Sequence, residues 1–378
     1  MKRCVAFLAL VPLAFGGMHK VWEVQLGNRV EEPAGWLADP EHIVGAIAFS
    51  ADNLRIALTM DEHHDSKFLT PRLTHLLVLD LSAPKKASRQ YDLETCRTDR
   101  IEWSPGGDAV YACSTVVQLS GGQMCRPDRM AGFMDGQHYF RNSRPPEAPV
   151  DPANYRTSFF VDDLNCATKD SWSMEGAWSA FQVEPHRRLA LLMSLTWTYL
   201  PPVKRWAWLP PHPPGLTVLS LAARRALEGW SAQNLFGVPL FLIDRGTALC
   251  TLVEKPDPQA RQPLRCWDLD SGNEIATVPH MSNEEILSPA SADSPRLLTQ
   301  HSTHIVVLPD LFEGDFLRER KVWDIRSGRE IASWSPIKLQ KMALNGHSRS
   351  EAGPVAISPD GKFIAEGANG VVRLYRLD

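Results

Sequence analysis

The sequence has no long apolar run after its N-terminal segment, and it has no marked excess of charge of either sign. No stretch of about 18 apolar residues occurs there, so no membrane-spanning helix is predicted. The longest apolar run, from Leu189 to Leu200, is interrupted by hydroxyl side chains. The 40 basic and 44 acidic residues give a net charge of −4, which argues against a nucleic-acid-binding protein.

The motifs of common catalytic and cofactor sites are also missing. The chain contains no Gly-x-Ser-x-Gly elbow, no Walker loop and no dinucleotide fingerprint between a strand and a helix. No two cysteines have the Cys-x-x-Cys spacing of a zinc knuckle or a redox centre. The sequence therefore predicts no cofactor and favours a protein that is not an enzyme.

What the chain does contain is an N-terminal segment with the features of a signal peptide. A positively charged start precedes an apolar stretch from Cys4 to Phe15, and Ala14 to Gly16 form a small-residue cleavage pattern. We expect residues 1–17 to be removed and the protein to be exported, to the periplasm or beyond. The alternative is a cytoplasmic protein whose translation starts at Met18.

Six cysteines remain once Cys4 is removed, an even number that permits disulfides in an exported protein. The segments around Cys250 and Cys266 resemble adjacent strands of one hairpin centred near Pro258. These two cysteines are therefore expected to face each other and to form a disulfide. The alternative is that all six are small, buried apolar residues.

A short unit recurs along the chain: an apolar strand, a tight polar turn and a second apolar strand. The turns are rich in Asp, Asn, Gly and Pro, as short hairpin loops require. A second hairpin follows each unit, and in the clearest two Gly272 and Gly328 are expected to take a positive φ. Two hairpins make a four-stranded sheet that must stack on copies of itself. The units begin at Ala46, Arg100, Ala180, Val238, Glu285 and Pro354.

Three strings in these units resemble WD40-repeat propellers, with PD40 and YVTN-type propellers as near relatives. They are WDLDSG from Trp267, WDIRSG from Trp323 and SPDG from Ser358. The resemblance covers nearly all of residues 18–378 and is strongest from about Arg265 onward. It implies an all-β chain, a single propeller of about six four-stranded blades. The family's structural His-Ser-Asp-Trp hydrogen-bond set is largely replaced in the last unit, so the propeller is divergent.

The last unit has only three obvious strands, which indicates how the ring closes. The alternating segment from Val21 to Leu26 is expected to supply the missing strand by pairing with Val371 to Leu377. Six units are recognisable. A seventh blade hidden between Val116 and Tyr155 is the alternative.

Long insertions are expected mainly between the second and third strands of a blade. Because strands of a meander alternate in direction, such connections emerge on one face, where binding sites on rigid scaffolds usually lie. One further insertion joins two blades and emerges on the same face. The insertions span residues 61–74, 115–157, 197–215, 254–264, 301–320 and 336–353.

The third insertion is rich in tryptophan and proline and is our candidate for partner binding. Aromatic rings supply large contact areas, and prolines limit the entropy lost on ordering. The alternative is a proline-braced flap whose rings cover a neighbouring blade. The candidate residues are Trp197, Tyr199, Arg205, Trp206 and Trp208.

Two histidine-containing segments are candidate metal sites. His63, His64 and Asp65 are potential ligands in the first insertion, but adjacent residues rarely all reach one ion, so an exposed polar loop is favoured. His301 and His304 would lie on opposite faces of a strand.

These patterns together favour an exported, non-enzymatic binding or scaffold module that meets a protein partner through its insertion-rich face. Two alternatives stay open. One is an extracytoplasmic enzyme with a site at the centre of that face, and the other is a propeller that binds a glycan through its tryptophans.

Overall fold

Every regular element in the described part of the chain is a β-strand. No helix among these residues has the length and apolar character needed to cross a membrane. The predicted signal peptide and the candidate ligands His63, His64 and Asp65 lie outside the residues that the structure describes. The computed structural model describes residues 18–26, 42–62, 73–84, 88–94, 100–143, 155–200, 205–209, 216–231, 238–252, 264–278, 284–287, 293–307, 312–336, 338–342, 348–368 and 370–378.

The first half of the chain contains the strand that closes the ring, β1, and the strands of three blades. They are β1 (Met18–Gln25), β2 (His42–Phe49), β3 (Arg55–Glu62), β4 (Leu73–Asp80), β5 (Arg89–Leu93), β6 (Ile101–Trp103), β7 (Ala109–Ala112), β8 (Thr115–Gln118), β9 (Met124–Cys125), β10 (Met130–Phe133), β11 (His138–Asn142), β12 (Arg156–Asp163) and β13 (Thr168–Glu175).

The strands of the second half form four further blades and two separate hairpins. They are β14 (Trp178–Glu184), β15 (Leu189–Ser194), β16 (Thr196–Leu200), β17 (Arg205–Leu209), β18 (Leu216–Ser220), β19 (Arg225–Ser231), β20 (Val238–Ile243), β21 (Ala248–Leu252), β22 (Leu264–Asp268), β23 (Glu274–Val278), β24 (Glu284–Leu287), β25 (Arg296–Val307), β26 (Phe312–Asp324), β27 (Arg329–Trp334), β28 (Lys338–Met342), β29 (Ser348–Ala352), β30 (Val355–Ile357), β31 (Phe363–Ala368) and β32 (Val371–Leu377).

The described strands make seven four-stranded antiparallel sheets, the blades of a propeller. The four strands of each blade are labelled a to d in their order across the sheet. The hairpins β16–β17 and β28–β29 form two-stranded sheets of their own. The count of seven corrects the first count of six and confirms the alternative. The blades are β2–β5, β6–β9, β10–β13, β14–β15–β18–β19, β20–β23, β24–β27 and β30–β31–β32–β1, numbered blade 1 to blade 7.

The extra blade is blade 3, and its first two strands lie inside residues 115–157, which were expected to form a single insertion. Strands c and d of blade 2 and strands a and b of blade 3 all fall between Thr115 and Asn142. Strand β9 has only two residues. Such a short strand gives no alternating signal, so periodicity in the sequence does not mark this blade boundary.

The core is divided among the contacts between consecutive blades. Seven buried apolar clusters are formed by the described residues, one at each junction of neighbouring blades, including blade 7 with blade 1. In β4, Leu77 and Leu79 enter the cluster with blade 7, and Leu76 and Val78 enter the cluster with blade 2. A strand that packs against neighbouring blades on both sides, such as β4, is therefore apolar on both faces and appears in the sequence as a continuous apolar run.

The N-terminal strand closes the ring, as the sequence predicted. Strand β1 pairs with β32, with Trp22 opposite Leu374 and Val24 opposite Val372. Val24 is buried in the cluster between blades 7 and 1. Arg373 also forms an ion pair with Glu23, with 2.6 Å between Nε and Oε2, and this hydrogen bond lowers the pKa of Glu23.

The two Asp-x-x-Ser-Gly turns have the same structure. In the first, Asp268 Oδ1 accepts hydrogen bonds from the backbone and hydroxyl groups of Ser271, at 2.8 and 2.9 Å. In the second, Asp324 does the same with Ser327 at 2.8 and 2.9 Å. The glycines that follow, Gly272 and Gly328, have φ of +72° and +65°. The motif thus specifies the turn between strands c and d.

Cysteines are disulfide-bonded both within and between blades. Cys250 of β21 lies opposite Cys266 of β22, the two are bonded, and both are fully buried. A second disulfide joins Cys125 at the edge of blade 2 to Cys166 in blade 3. Cys113 is disulfide-bonded as well.

We expect peptide mapping without reductant to find Cys250 linked to Cys266 in protein recovered from its native compartment. Replacing both residues with alanine is expected to lower the free energy of unfolding by about 3 kcal/mol, because the bond closes a loop of about 15 residues in the unfolded chain. Wild-type protein unfolded with and without reductant is the control for lost side-chain volume. Free alkylation of both thiols in the native protein would contradict the assignment.

Candidate functional site

Three hairpins extend the connections between blade strands. The hairpin β16–β17 lies between strands b and c of blade 4, and β28–β29 lies between blades 6 and 7. The third is an extension of strands b and c of blade 6. There β25 and β26 stay paired from Ser302 with Leu317 to Val307 with Phe312, past the residues that pair with β24 and β27.

The hairpin β16–β17 contains the predicted aromatic residues in a defined register. Trp197 lies opposite Trp208, and Tyr199 lies opposite Trp206. Residues directly opposite each other belong to the same face of an antiparallel pair, and so do residues two apart in one strand. The register therefore assigns all four aromatic residues to one face of this hairpin.

The other face of the same hairpin has a different composition. Arg205 lies opposite Leu200, and Ala207 lies opposite Thr198. The period of two along the strands places these positions on the face opposite the aromatic residues. Among the predicted binding residues, the structure thus brings four together and places Arg205 apart from them.

A buried ion pair joins blades 6 and 7 near the beginning of the extended hairpin. Arg320 Nη1 is 2.6 Å from Glu366 Oε1, and the exposed fractions of the two side chains are 1% and 0%. Arg320 Nε also donates to Gln300 Oε1 at 3.0 Å, and its Nη2 donates to the carbonyl oxygen of Gly353. Arg320 thus links the extended strands β25 and β26 of blade 6 to Gly353, which directly follows the hairpin β28–β29.

Part of the WD40 hydrogen-bond pattern persists in blade 6, whereas blade 7 departs from it. Trp323 Nε1 donates to Thr299 Oγ1 at 3.0 Å, and both residues are buried. In blade 7, the strand position expected near the family's serine holds Glu366, which pairs with Arg320 instead.

The predicted metal ligands are described only in part. The polar segment of the first insertion begins within β3, where Asp61 Oδ1 accepts a hydrogen bond from Thr74 Oγ1 at 2.8 Å. His63, His64 and Asp65 are outside the described residues. His301 and His304 both belong to β25, so a separation of three places them on opposite faces, as expected.

A further cluster was not predicted from the sequence. Glu184, His186 and Asp293 each offer a ligand atom, and these atoms all lie within 4.8 Å of one another. His186 Nε2 is 2.9 Å from Asp293 Oδ1. Glu184 ends strand a of blade 4 and His186 belongs to the a–b turn that follows, whereas Asp293 belongs to the a–b turn of blade 6. No sequence motif could reveal this cluster because the ring alone brings the two turns together.

Comparison with known proteins supports the fold. No family model matches the sequence, and no curated protein does. The β-propeller domain of Cps50 (Swd1) from Myceliophteria thermophila is similar in structure, with a TM-score of 0.50 and 10% identity over 91% of this chain and 99% of that chain. Kuenenia stuttgartiensis hydrazine synthase is also similar, with a TM-score of 0.50 and 11% identity over 92% of this chain and 99% of that chain. The chain therefore has a divergent, WD40-like propeller fold.

Proposed function

We propose that the protein is a non-enzymatic binding module that contacts a protein partner through the aromatic face of hairpin β16–β17. The observation that carries the proposal is the register that assigns Trp197, Tyr199, Trp206 and Trp208 to one face. Tryptophan and tyrosine are enriched in the residues that dominate binding energy at protein interfaces. Propellers of the WD40 kind commonly serve as protein-binding scaffolds, so the fold is consistent with this use.

The position of the hairpin in the chain supports the proposal. It connects strands b and c of blade 4, and β28–β29 connects strand d of blade 6 to strand a of blade 7. Connections of these two kinds leave a meander at the same end. We propose that the hairpins together form one binding face on a rigid ring, with β16–β17 as its main contact.

Export is part of the same proposal. The signal-like N-terminal segment and the disulfides between Cys250 and Cys266 and between Cys125 and Cys166 support it, since such bonds persist in oxidising compartments. The peptide map described above also determines the N-terminus. A mature chain that begins near Gly17 supports export, and an intact Met1 contradicts it.

The binding proposal predicts that a triple alanine variant at Trp197, Trp206 and Trp208 loses its partner. Wild-type protein cross-linked in native extract is expected to capture a protein that the variant does not capture, because truncating aromatic anchors of this kind costs about 2 kcal/mol or more each. The matched control replaces Thr198 with Ala and Ala207 with Ser, on the other face of the same hairpin. Equal melting temperatures would show that the variants remain folded.

The outcome that contradicts this function is capture that survives in the triple variant. Glycan binding by the wild type that is lost in the triple variant, without a captured protein, would favour the carbohydrate-binding alternative.

A further inference from the structure

We propose that Glu184, His186 and Asp293 form a binding site for one divalent transition-metal ion, and that Zn²⁺ is the ion best suited to it. The site lies at the a–b turns of the blades, whereas the hairpins continue from the b–c and d–a connections. The inference is therefore independent of the proposed partner-binding function.

The donor set has the composition of a zinc site with an open position. One imidazole nitrogen and two carboxylate groups provide three protein ligands, and water completes such sites. Zinc–ligand bonds of about 2.0–2.2 Å place neighbouring ligand atoms roughly 3.3 Å apart. The ligand atoms here are within 4.8 Å of one another, and His186 Nε2 lies 2.9 Å from Asp293 Oδ1. Small side-chain rotations therefore suffice to bind the ion.

The ring holds these ligands in place without the ion. The backbone N–H of Asp244, in the a–b turn of blade 5, donates to the carbonyl oxygen of Ser294 at 3.0 Å, next to Asp293. On the other side, Arg187 Nη1 donates to the carbonyl oxygen of Gly246 at 3.0 Å. The turns of blades 4, 5 and 6 are thus fixed to one another. A ligand set that is fixed before binding requires little reorganisation.

The charges around Glu184 favour a cation. Its carboxylate is fully buried, and its oxygens accept the backbone N–H groups of His186 at 3.1 Å and Arg187 at 2.7 Å. Each oxygen keeps a lone pair beyond those bonds. Within the described part of the chain, no lysine or arginine forms an ion pair with Glu184, and the Arg187 side chain pairs with Asp270. Burial raises the pKa of Glu184, and the nearby charge of Asp293 acts in the same direction.

Binding of the ion is a simple exchange. Zn²⁺ binds at Nε2 of His186, which lies 2.9 Å from Asp293 Oδ1, any proton held between these two atoms is released to solvent, and the two carboxylates balance the charge of the ion. The exposed fraction of the His186 side chain is 44%, so the ion and its water ligand have access from solvent.

The test is calorimetric titration of Zn²⁺ into the full chain after treatment with a chelator. We expect the wild type to bind one equivalent of Zn²⁺ tightly. Binding should be at least about tenfold weaker in His186→Asn and in Asp293→Asn. The matched control is His138→Asn. His138 pairs with Asp135 at 3.0 Å next to the a–b turn of blade 3 but belongs to no three-ligand group among the residues that the structure describes, so its loss should leave the tightly bound Zn²⁺ unchanged.

Because Glu184 is fully buried, the two less buried ligands carry the test, and the melting temperature of each variant checks its folding. X-ray absorption spectroscopy at the zinc edge of the zinc-loaded wild type should show nitrogen and oxygen ligands without sulfur. Wild-type affinity in both His186→Asn and Asp293→Asn would overturn the proposal. It would also be overturned by a tight equivalent that is lost only when His63 and His64 are replaced.

Discussion

Removing residues 1–26 is expected to lower the free energy of unfolding by at least about 3 kcal/mol, whereas removing residues 1–17 alone should leave it unchanged. Strand β1 covers the outer edge of β32 and places Val24 in the core between blades 7 and 1. Full burial of a valine is worth about 1.5–3 kcal/mol, and the lost hydrogen bonds add to that. Urea unfolding of the two truncated proteins measures the difference.

The truncation also leaves β32 as an unpaired edge strand, which favours association between molecules. Size-exclusion chromatography should therefore show oligomers of the longer truncation and a monomer-like profile for the shorter one. A synthetic peptide of residues 18–26 added to the longer truncation should restore the melting temperature, and a scrambled peptide should not.

Two point variants separate ring closure from an effect of shortening. Val21 and Val24 lie in the same strand, but Val21 is 51% exposed and Val24 is 7% exposed. Val24→Asp buries a charge and should destabilise the ring, whereas Val21→Asp should change the unfolding free energy by less than about 0.5 kcal/mol. Equal stability of these two variants, together with an unchanged longer truncation, would contradict the closure.

Features that depend on neighbouring residues in the sequence could be predicted. The strand from Val21 to Leu26 alternates, and the Ser-Gly turns ending at Gly272 and Gly328 require a positive φ, so both were recognisable before the structure. The facing positions of Cys250 and Cys266 followed from the symmetry of one hairpin. In each case the determining pattern lies within one strand, one turn or one hairpin.

Features that depend on contacts between blades could not be predicted. Cys125 and Cys166 are bonded across the junction of blades 2 and 3, and strand periodicity carries no information about such a junction. Glu184 and Asp293 come together only because blades 4, 5 and 6 are consecutive in a closed ring. The blade count itself was obscured where β9 has too few residues for a periodic pattern.

The buried ion pair between Arg320 and Glu366 belongs to this second group, and it leads to the other large expected effect. Glu366→Gln is expected to lower the free energy of unfolding by about 3–5 kcal/mol, because it leaves the Arg320 charge buried without its carboxylate. Denaturant unfolding monitored by tryptophan fluorescence measures the loss. The matched control is Glu23→Gln in the same blade, which removes an ion pair whose side chains are 40% and 34% exposed and should cost less than about 1 kcal/mol.

A double variant distinguishes an uncompensated charge from lost packing. Replacing Arg320 with Met and Glu366 with Leu removes both charges while keeping apolar volume, and such replacements are often neutral or stabilising. We therefore expect the double variant to recover most of the stability lost in Glu366→Gln. The hydrogen bonds from Arg320 to Gln300 and to the carbonyl oxygen of Gly353 would still be missing, so the recovery should be incomplete. If Glu366→Gln cost no more than Glu23→Gln, the buried pair would not contribute to the stability of the junction between blades 6 and 7.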